Sequence, residues 1–473
     1  MPSGHHSTDR GETIVALASG AGRAGVAVVR LSGPASLETA QRLFHVKQSL
    51  ALTPRHATLR PLYAPGNGAF VDEALVIVMP GPNSFTGEDV VELQIHGGAA
   101  NVEAMLTACI ETGLCRVAGP GEFTRRAFEN GRLDLTQAEG LADLIDAETE
   151  GQRAQALRLL QGEAGNRFEA WRERLIEAMA ALEAATVFPD ESDVPEQIAR
   201  RSLEPLERLQ TEIEAALSDW ERNRSVREGF RIAILGKPNA GKSSLLNQLA
   251  GREAAIVSPI AGTTRDVVEV RMVLGGFPVW VADTAGLREA VDQIEAEGVR
   301  RALDRAQSAD LRIWLLDATD EAETPDKVSR ETSFADGDLV VWNKTDLTAG
   351  RMTDDATFAI SAETGDGIPA LLSTLEQEVV RKLSSSEAPI VTRARHQSLT
   401  TQALDHLRSA RRAFQDGLGP ELVGEDVRMA ARALGQVTGK VDVEDLLDRS
   451  REGEPHTYSS AQEAFQSLLA DLA

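Results

Sequence analysis

Apolar positions along the chain change period three times, and each change marks a change of structure. Between residues 13 and 133, strand-length apolar runs (Thr13 to Ala18, Gly25 to Leu31, Ala74 to Met79, Val90 to Ile95) alternate with helical spacing at Ala35 to Phe44 and Val102 to Thr112. An α/β domain is expected there. From Leu135 to about Arg227 the period becomes helical. Ala138, Leu141, Ala142, Leu144 and Ile145 start a stripe that Leu157, Leu160, Phe168, Trp171, Leu175, Met179 and Leu182 continue. Phe188-Pro189-Asp190-Glu191 breaks it, and Leu203 to Trp220 resumes it. Residues 229–384 then alternate helices with short apolar runs at Ile232 to Leu235, Val267 to Leu274, Val279 to Ala282, Leu311 to Leu316, Leu339 to Trp342 and Phe358 to Ile360. That alternation predicts a doubly wound, mostly parallel sheet with ligands at the strand C-terminal ends. After Ser384-Ser385-Ser386 helical spacing returns, at Gln397 to Phe414 and Asp426 to Leu434.

The expected fold is therefore α/β plus α. An N-terminal domain covers 1–133, a helical domain is split into 134–228 and 385–473, and a P-loop domain at 229–384 is inserted between its halves. The length of 473 residues agrees with about three domains. Aromatic residues are 4%, so the cores should be aliphatic.

A formal net charge of −24 argues against nucleic-acid binding through bulk electrostatics, and leaves RNA contact to a local basic patch or a partner. The arginines Arg167, Arg172 and Arg174 read as a solvated helix face rather than such a patch. Two cysteines, Cys109 and Cys115, exclude a disulfide framework and a four-cysteine metal site, and both sit in apolar settings that favour packing. The opening MPSGHHSTDRGE lacks the apolar core of a signal peptide, and no stretch is long enough to span a bilayer, so a cytoplasmic protein without membrane contact is expected.

The chemistry concentrates in FRIAILGKPNAGKSSLLN, residues 230–247. Its order of strand, glycine-rich turn and helix is that of a phosphate-binding P-loop, G-x-x-x-x-G-K-S. Gly236 and Gly241 allow backbone N–H groups to approach phosphate oxygens, and the new helix aims its N-terminal dipole at the same anion. Asn239, Ala240, Gly241, Lys242, Ser243 and Ser244 are the expected contacts, with Lys242 reaching the β- and γ-phosphates and Ser243 ligating Mg2+.

Four further stretches follow in the order of a Ras-like GTPase. Ser258, Pro259, Ile260, Ala261, Gly262, Thr263 and Thr264 precede the second strand, and Thr264 supplies another hydroxyl for Mg2+ and the γ-phosphate. Asp283-Thr284-Ala285-Gly286 ends the third strand, where Asp283 can hold a magnesium-bound water and the Gly286 N–H can meet the γ-phosphate. Asn343-Lys344-Thr345-Asp346 ends the fifth. The Asp346 carboxylate can accept from N1–H and the 2-amino group of guanine, a donor pair that adenine lacks. Ser361-Ala362 follows the last strand, where a backbone N–H can read guanine O6. The position that holds a water-orienting glutamine in Ras-like proteins is Leu287, so hydrolysis needs another group. Glu295 is the acidic candidate, although composition alone also fits a solvated helix charge.

With PGPNSFTGEDVVELQIHGG, PGEFTRRAFENGRLDLTQAE, VREGFRIAILGKPNAGKSSLLN and LVVWNKTD in view, the chain resembles the tRNA modification GTPase family MnmE (TrmE), from about Thr13 to Asp448. The resemblance implies an N-terminal folate-binding domain through which members dimerise, a split helical domain and an inserted G domain. It implies a 5-formyl-tetrahydrofolate-like one-carbon carrier held at Arg30, Glu92 and Arg132. It implies a potassium-dependent GTPase, with K+ held by Asn239, Ser258, Ile260 and Thr263 and with Glu295 as the catalytic glutamate. It also implies a flavoprotein partner, MnmG (GidA), in a heterotetramer that adds a carboxymethylaminomethyl-type group at C5 of the wobble uridine of certain tRNAs.

The sequence departs from the family at its end. Members close with an aromatic segment and a C-x-G-K tetrapeptide, whereas residues 449–473 read RSREGEPHTYSSAQEAFQSLLADLA. Ser459-Ser460 followed by Phe465, Leu468, Leu469 and Leu472 predicts a capped amphipathic helix instead. This opens a second reading, a regulatory or ribosome-associated GTPase whose modification function has lapsed. A third is a folate-binding scaffold with residual GTPase activity, against which the intact nucleotide motifs argue.

Overall fold

The computed structural model describes residues 11–44, 52–187, 194–251, 269–283, 309–320, 337–348 and 358–440. They fall into two compact units, one ending at Glu139 and one running from Gly140 to Lys440.

The first unit is built on a six-stranded sheet. Its elements are β1 (Thr13–Leu17), β2 (Val26–Ser32), α1 (Ser36–Arg42), β3 (Thr58–Tyr63), β4 (Phe70–Met79), β5 (Val90–His96), α2 (Ala99–Glu111), β6 (Cys115–Val117) and α3 (Glu122–Glu129). The spatial order is β3-β4-β5-β2-β1-β6, antiparallel except for the β1–β6 pair. Period-two alternation sends Ala27, Val29 and Leu31 of β2, and Val91, Leu93 and Ile95 of β5, into a core shared with Met105 and Cys109 of α2. The opposite face carries Arg30 and Glu92, which are register partners. Cys109 is fully buried and burial pushes its thiol pKa up, as packing rather than thiolate chemistry requires.

Two elements of this unit, β3 and α3, go beyond what apolar periodicity predicts. The sequence of β3 contains Pro61 and is tolerated because β3 is an edge strand. The buried face of α3 includes a charged residue, Arg126.

Helix α4 (Leu135–Asp146) leads into the second unit. There α5 (Glu150–Leu160), α6 (Glu163–Val187), α7 (Val194–Ser218) and α8 (Trp220–Glu228) precede a second six-stranded sheet. A capping box at Thr149 and Gln152 starts α5. The sheet elements are β7 (Phe230–Leu235), α9 (Lys242–Ala250), β8 (Glu269–Leu274), β9 (Phe277–Asp283), β10 (Leu311–Asp317), β11 (Leu339–Asn343) and β12 (Phe358–Ala359). Helix α10 (Ile368–Leu383) closes it, and α11 (Ala394–Gln415) and α12 (Pro420–Thr438) follow. The order β12-β11-β10-β7-β9-β8 is parallel throughout except for the β8–β9 hairpin, as the alternating pattern predicts.

Helices on both sides of that sheet in sequence share one core. Phe168 and Trp171 of α6, 5.5 Å apart edge to face, pack with Leu209 of α7, Leu404 of α11 and Val427 and Leu434 of α12. Each such buried side chain contributes roughly 1.5–3 kcal/mol. Of the three arginines expected on a solvated face, only Arg167 is exposed, and all three are paired with carboxylates. Arg174 makes an ion pair with Glu212 at 2.7 Å, Arg167 lies 3.7 Å from the same carboxylate, and Arg172 pairs with Glu169. The break at 188–191 and the tail helix fall outside the described residues.

Candidate functional site

Five strands of the second sheet run parallel, so their C-terminal ends share one edge, and four segments meet there. The first is the turn between β7 and α9. Gly236 has φ 150° with its α-carbon against the Leu315 carbonyl, so any Cβ would collide with backbone. Asn239 holds φ 63°, and Gly241, the N-cap of α9, holds φ 94°. This backbone turns successive N–H groups toward one side, the geometry of an anion cradle. Lys242 begins α9 and is 5% exposed. Its ammonium donates to the Gly236 and Lys237 carbonyls at 2.9 and 2.7 Å, across the mouth of the turn. A cation this buried needs such partners.

The second segment is the end of β9. Ser243 Oγ donates to Asp283 Oδ2 at 2.7 Å, joining α9 to that strand. A hydroxyl and a carboxylate side by side are hard oxygen donors suited to Mg2+.

The third and fourth are the ends of β11 and β12. Asn343 is 2% exposed, and its amide is spent on structure. Its Nδ2 donates to the Ala240 carbonyl at 2.8 Å, and its Oδ1 accepts from the Ala362 N–H at 2.9 Å. The asparagine thus ties the phosphate loop to the segment after β12. Lys344 holds φ 64° and makes an ion pair with Asp317 at 2.6 Å. Burial alone would raise the Asp317 carboxyl, but Lys344 and the Thr319 hydroxyl and N–H outweigh it and hold it below its usual range. Asp346 lies in a 3-10 turn, Thr345–Leu347, exposed and with no hydrogen-bond partner among the described residues. Thr345 anchors that turn by donating through Oγ1 to the Ile360 carbonyl at 2.9 Å. Ser361 is fully buried and its hydroxyl accepts from the Thr364 N–H.

Of the nucleotide residues predicted from sequence, Asn239 to Ser244, Asp283, Asn343, Lys344, Asp346, Ser361 and Ala362 gather at this edge. Ser258, Pro259, Ile260, Ala261, Gly262, Thr263, Thr264, Thr284, Ala285, Gly286, Leu287 and Glu295 lie outside the described residues. Asp317 was not anticipated. Its only signal is its place at the end of β10, opposite Asn343 in the ladder.

In the first unit, Arg30 and Glu92 pair at 2.8 Å, and the Arg30 guanidinium lies over the rings of Phe85 and Phe123, 5.2 and 5.5 Å from their centroids. Arg132 is exposed and its Cγ lies against Gly87. Arg30 and Arg132 border the loop between β4 and β5, through Phe85 and Gly87. Neither aromatic residue was singled out by the sequence.

A parallel sheet with a P-loop, a magnesium-type hydroxyl–carboxylate pair and an N-K-x-D turn at one edge defines a P-loop GTPase. Comparison with known proteins carries this further. The family description "MnmE helical domain" matches residues 135–449, and "GTP-binding protein TrmE N-terminus" matches residues 13–132. The chain is 52% identical over 438 residues to the tRNA modification GTPase MnmE of Maricaulis maris, across 92% of this chain and 97% of that protein. It is 53% identical over 440 residues to the protein of the same name from Parvibaculum lavamentivorans, across 92% and 98%. The solved structure of Aquifex aeolicus Era bound to GDP.AlF4- is 28% identical, covers 33% of this chain and 57% of its own, and has a TM-score of 0.25. The chain belongs to the tRNA modification GTPase MnmE family.

The matches do not favour a lapsed regulatory GTPase. The helical-domain match ends at residue 449, just past Asp448. Among the described residues no helix is long and apolar enough to cross a membrane.

Proposed function

We propose that this chain hydrolyses GTP to drive tRNA modification, acting with the flavoprotein MnmG in a heterotetramer to install a carboxymethylaminomethyl-type group at C5 of wobble uridines. The observation that carries the reading is the Ser243–Asp283 pair beside the Lys242 ammonium, at a loop tied by Asn343 to the base-side segment.

The chain's own residues have distinct tasks. The Gly241 turn and the N-terminus of α9 hold the β- and γ-phosphates. Lys242 trades its carbonyl partners for phosphate oxygens and offsets charge that builds on the leaving group. Asp346 selects guanine, and Ser361-Ala362 reads O6. Ser243 and Thr264 are the residues that would hold Mg2+, with Asp283 placed to hold a magnesium-bound water; the ion when bound would neutralise phosphate charge. Asn239, which holds φ 63°, is the described member of the K+ set with Ser258, Ile260 and Thr263. Glu295 would orient the attacking water.

In the N-terminal unit, Arg30, Glu92 and Arg132 would hold a 5-formyl-tetrahydrofolate-like carrier. The fit rests on a half-buried guanidinium–carboxylate pair flanked by two rings, suited to a planar heteroaromatic amide. The sheet face that carries this pair continues to Leu75 and Leu59, exposed register partners near the edge, which supports homodimerisation there. The domain limits proposed are 1–133, 134–228 with 385–473, and 229–384, in a cytoplasmic protein.

The test has two parts. GTP turnover is compared in potassium and in sodium, with Glu295→Ala alongside, and wobble nucleosides are measured by mass spectrometry in a deletion strain complemented with this chain. Potassium-dependent turnover and restored nucleosides are expected. Restored turnover with unmodified tRNA would refute the modification step.

A further inference from the structure

We infer that Arg126 is a positioning residue for the N-terminal carrier site, acting through Glu88 and Glu122 to set the two rings that enclose Arg30. The inference rests on the reading of Arg30 and Glu92 as a carrier site.

Arg126 lies on α3, its side chain 9% exposed, and its two nitrogens part to different carboxylates. Nη1 donates to Glu88 at 3.0 and 3.2 Å, and Nη2 to Glu122 at 3.0 Å. Neither carboxylate is held by Arg126 alone. Glu122 also accepts from Arg116 at 2.7 and 2.8 Å and from the Gly119 N–H at 2.8 Å. Glu88 accepts from the Ser32 hydroxyl at 2.7 Å, and that hydroxyl shares a hydrogen bond with Thr86. Arg116, Glu122, Arg126 and Glu88 therefore form a ladder of alternating charge. It runs from the middle of β6 through α3 to the loop between β4 and β5.

The ladder spans the two anchors of the ring pair. Phe85 is on the loop, three residues before Glu88, and Phe123 is on α3, next to Glu122. Arg30 comes from a different strand and meets both rings. The rung that Arg126 makes between Glu88 and Glu122 ties the two ring-bearing segments, beside the Asn130 Nδ2 bond to the Thr86 carbonyl at 2.7 Å at the far end of α3. Only a planar fork with several donors reaches both carboxylates at once, which lysine cannot do. Buried ionic ladders are poor sources of net stability against apolar replacements, so the ladder's contribution is placed in position rather than in net stability.

The experiment uses the full chain with three variants, Arg126→Lys, the charge-balanced pair Glu88→Gln/Arg126→Met, and Phe123→Leu. Two readouts are taken. One needs no ligand: the Arg30 Nε–H signal in arginine-labelled protein, assigned with Arg30→Lys, whose ring-current displacement and slow exchange report the enclosing rings. The other is affinity for 5-formyl-tetrahydrofolate by calorimetry. Melting temperature and GTP turnover serve as controls for folding.

In all three variants the Arg30 signal is expected to move toward the exposed-arginine position and carrier affinity to fall at least ten-fold. In the charge-balanced pair, GTP turnover should stay near wild type and melting should stay a single cooperative transition. An unchanged signal with unchanged affinity in that pair would overturn the positioning role. A wild-type chain that binds no carrier would overturn the carrier reading, while the Arg30 signal would still decide whether Arg126 places the rings.

Discussion

The Ser243 hydroxyl donates to the Asp283 carboxylate across 2.7 Å, so a hydrogen bond joins the first turn of α9 to the last residue of β9. The hydroxyl would ligate a magnesium ion directly, and the carboxylate would hold a water of that ion. Ser243→Ala removes the bond and one ligand together. GTP affinity in magnesium is expected to fall about ten-fold or more, since hydrogen bonds to a charged group contribute roughly 1.5–3 kcal/mol. In EDTA the wild type and the variant should differ much less. Fluorescent-nucleotide titrations with and without magnesium separate the two, and an equal loss in both buffers would deny the metal role.

Asn343 places a different constraint on the same site. It is buried, and both ends of its amide are used, one on Ala240 and one on Ala362. Asn343→Ala would leave a buried carbonyl and a buried N–H unsatisfied, at a cost of roughly 1–3 kcal/mol each. Gly241→Ala attacks the same joint from the loop, because a Cβ at φ 94° would meet the Asn343 amide. Both variants should lose nucleotide binding, and Asn343→Ala should also lower the urea midpoint. A normal midpoint with normal binding would mean that the joint is idle.

Base selection is expected to rest on Asp346, which the 3-10 turn presents to solvent. Asp346→Asn should weaken GTP binding roughly 10- to 150-fold, the equivalent of 1.5–3 kcal/mol. Xanthosine triphosphate should gain, since its 2-oxo group can accept from the new amide. Competition between the two nucleotides measures the switch, and unchanged preference would remove Asp346 from base recognition.

The nucleotide edge was legible in the sequence because phosphate and guanine recognition fix residue types at fixed positions after strands. Gly236, Gly241, Lys242, Ser243, Asp283 and Asn343 all fall at or just after strand ends along one edge of the sheet. What escaped was structure held by something other than apolar periodicity. Helix α3 is anchored by Arg126 and Glu122, which a hydrophobic pattern counts as surface. Strand β3 includes Pro61, which reads as a break and is admitted only because an edge strand has a free side. Asp317 was missed because its partner, Lys344, is remote in sequence and adjacent only through the β10–β11 ladder.

Acid stability of the N-terminal unit should depend on Glu122. Burial alone would raise its carboxyl, but Arg116, the Gly119 N–H and Arg126 hold it down to about 2 from the ordinary 4.5. A carboxyl depressed in the folded state contributes stability that is present in full above about pH 4.5 and is lost as the pH falls toward 2. Glu122→Gln should therefore melt below wild type at pH 7, and the gap should narrow between pH 4.5 and 2. A gap constant across that range would show that the charge of Glu122 is not what stabilises the fold.

The contact between the helices and the nucleotide sheet turns on Gly151 and Gly276. The Gly151 N–H donates to the Gly276 carbonyl at 2.8 Å, so the first turn of α5 docks on the tip of the β8–β9 hairpin. Around that bond, Arg271 of β8 pairs with Glu148 and lies 5.2 Å from the Trp280 ring centroid. Gln152 of α5 donates to the Arg227 carbonyl at the end of α8. The docking is close because Gly151 has no side chain; a Cβ there would strike the Phe277 ring. Gly275, with φ 58°, packs its α-carbon against Val380 of α10 and is equally intolerant. Gly151→Val is expected to destabilise the second unit by about 1–3 kcal/mol through overpacking. Gly275→Ala should add backbone strain to a clash of the same kind. Since β9 ends at Asp283, the hairpin links the helices to the magnesium-type pair, and both variants should also slow GTP turnover while Thr149 and Gln152 still cap α5. Urea unfolding with turnover measured on the same samples tests this. Wild-type midpoints in both variants would show that the hairpin tip does not bear on α5.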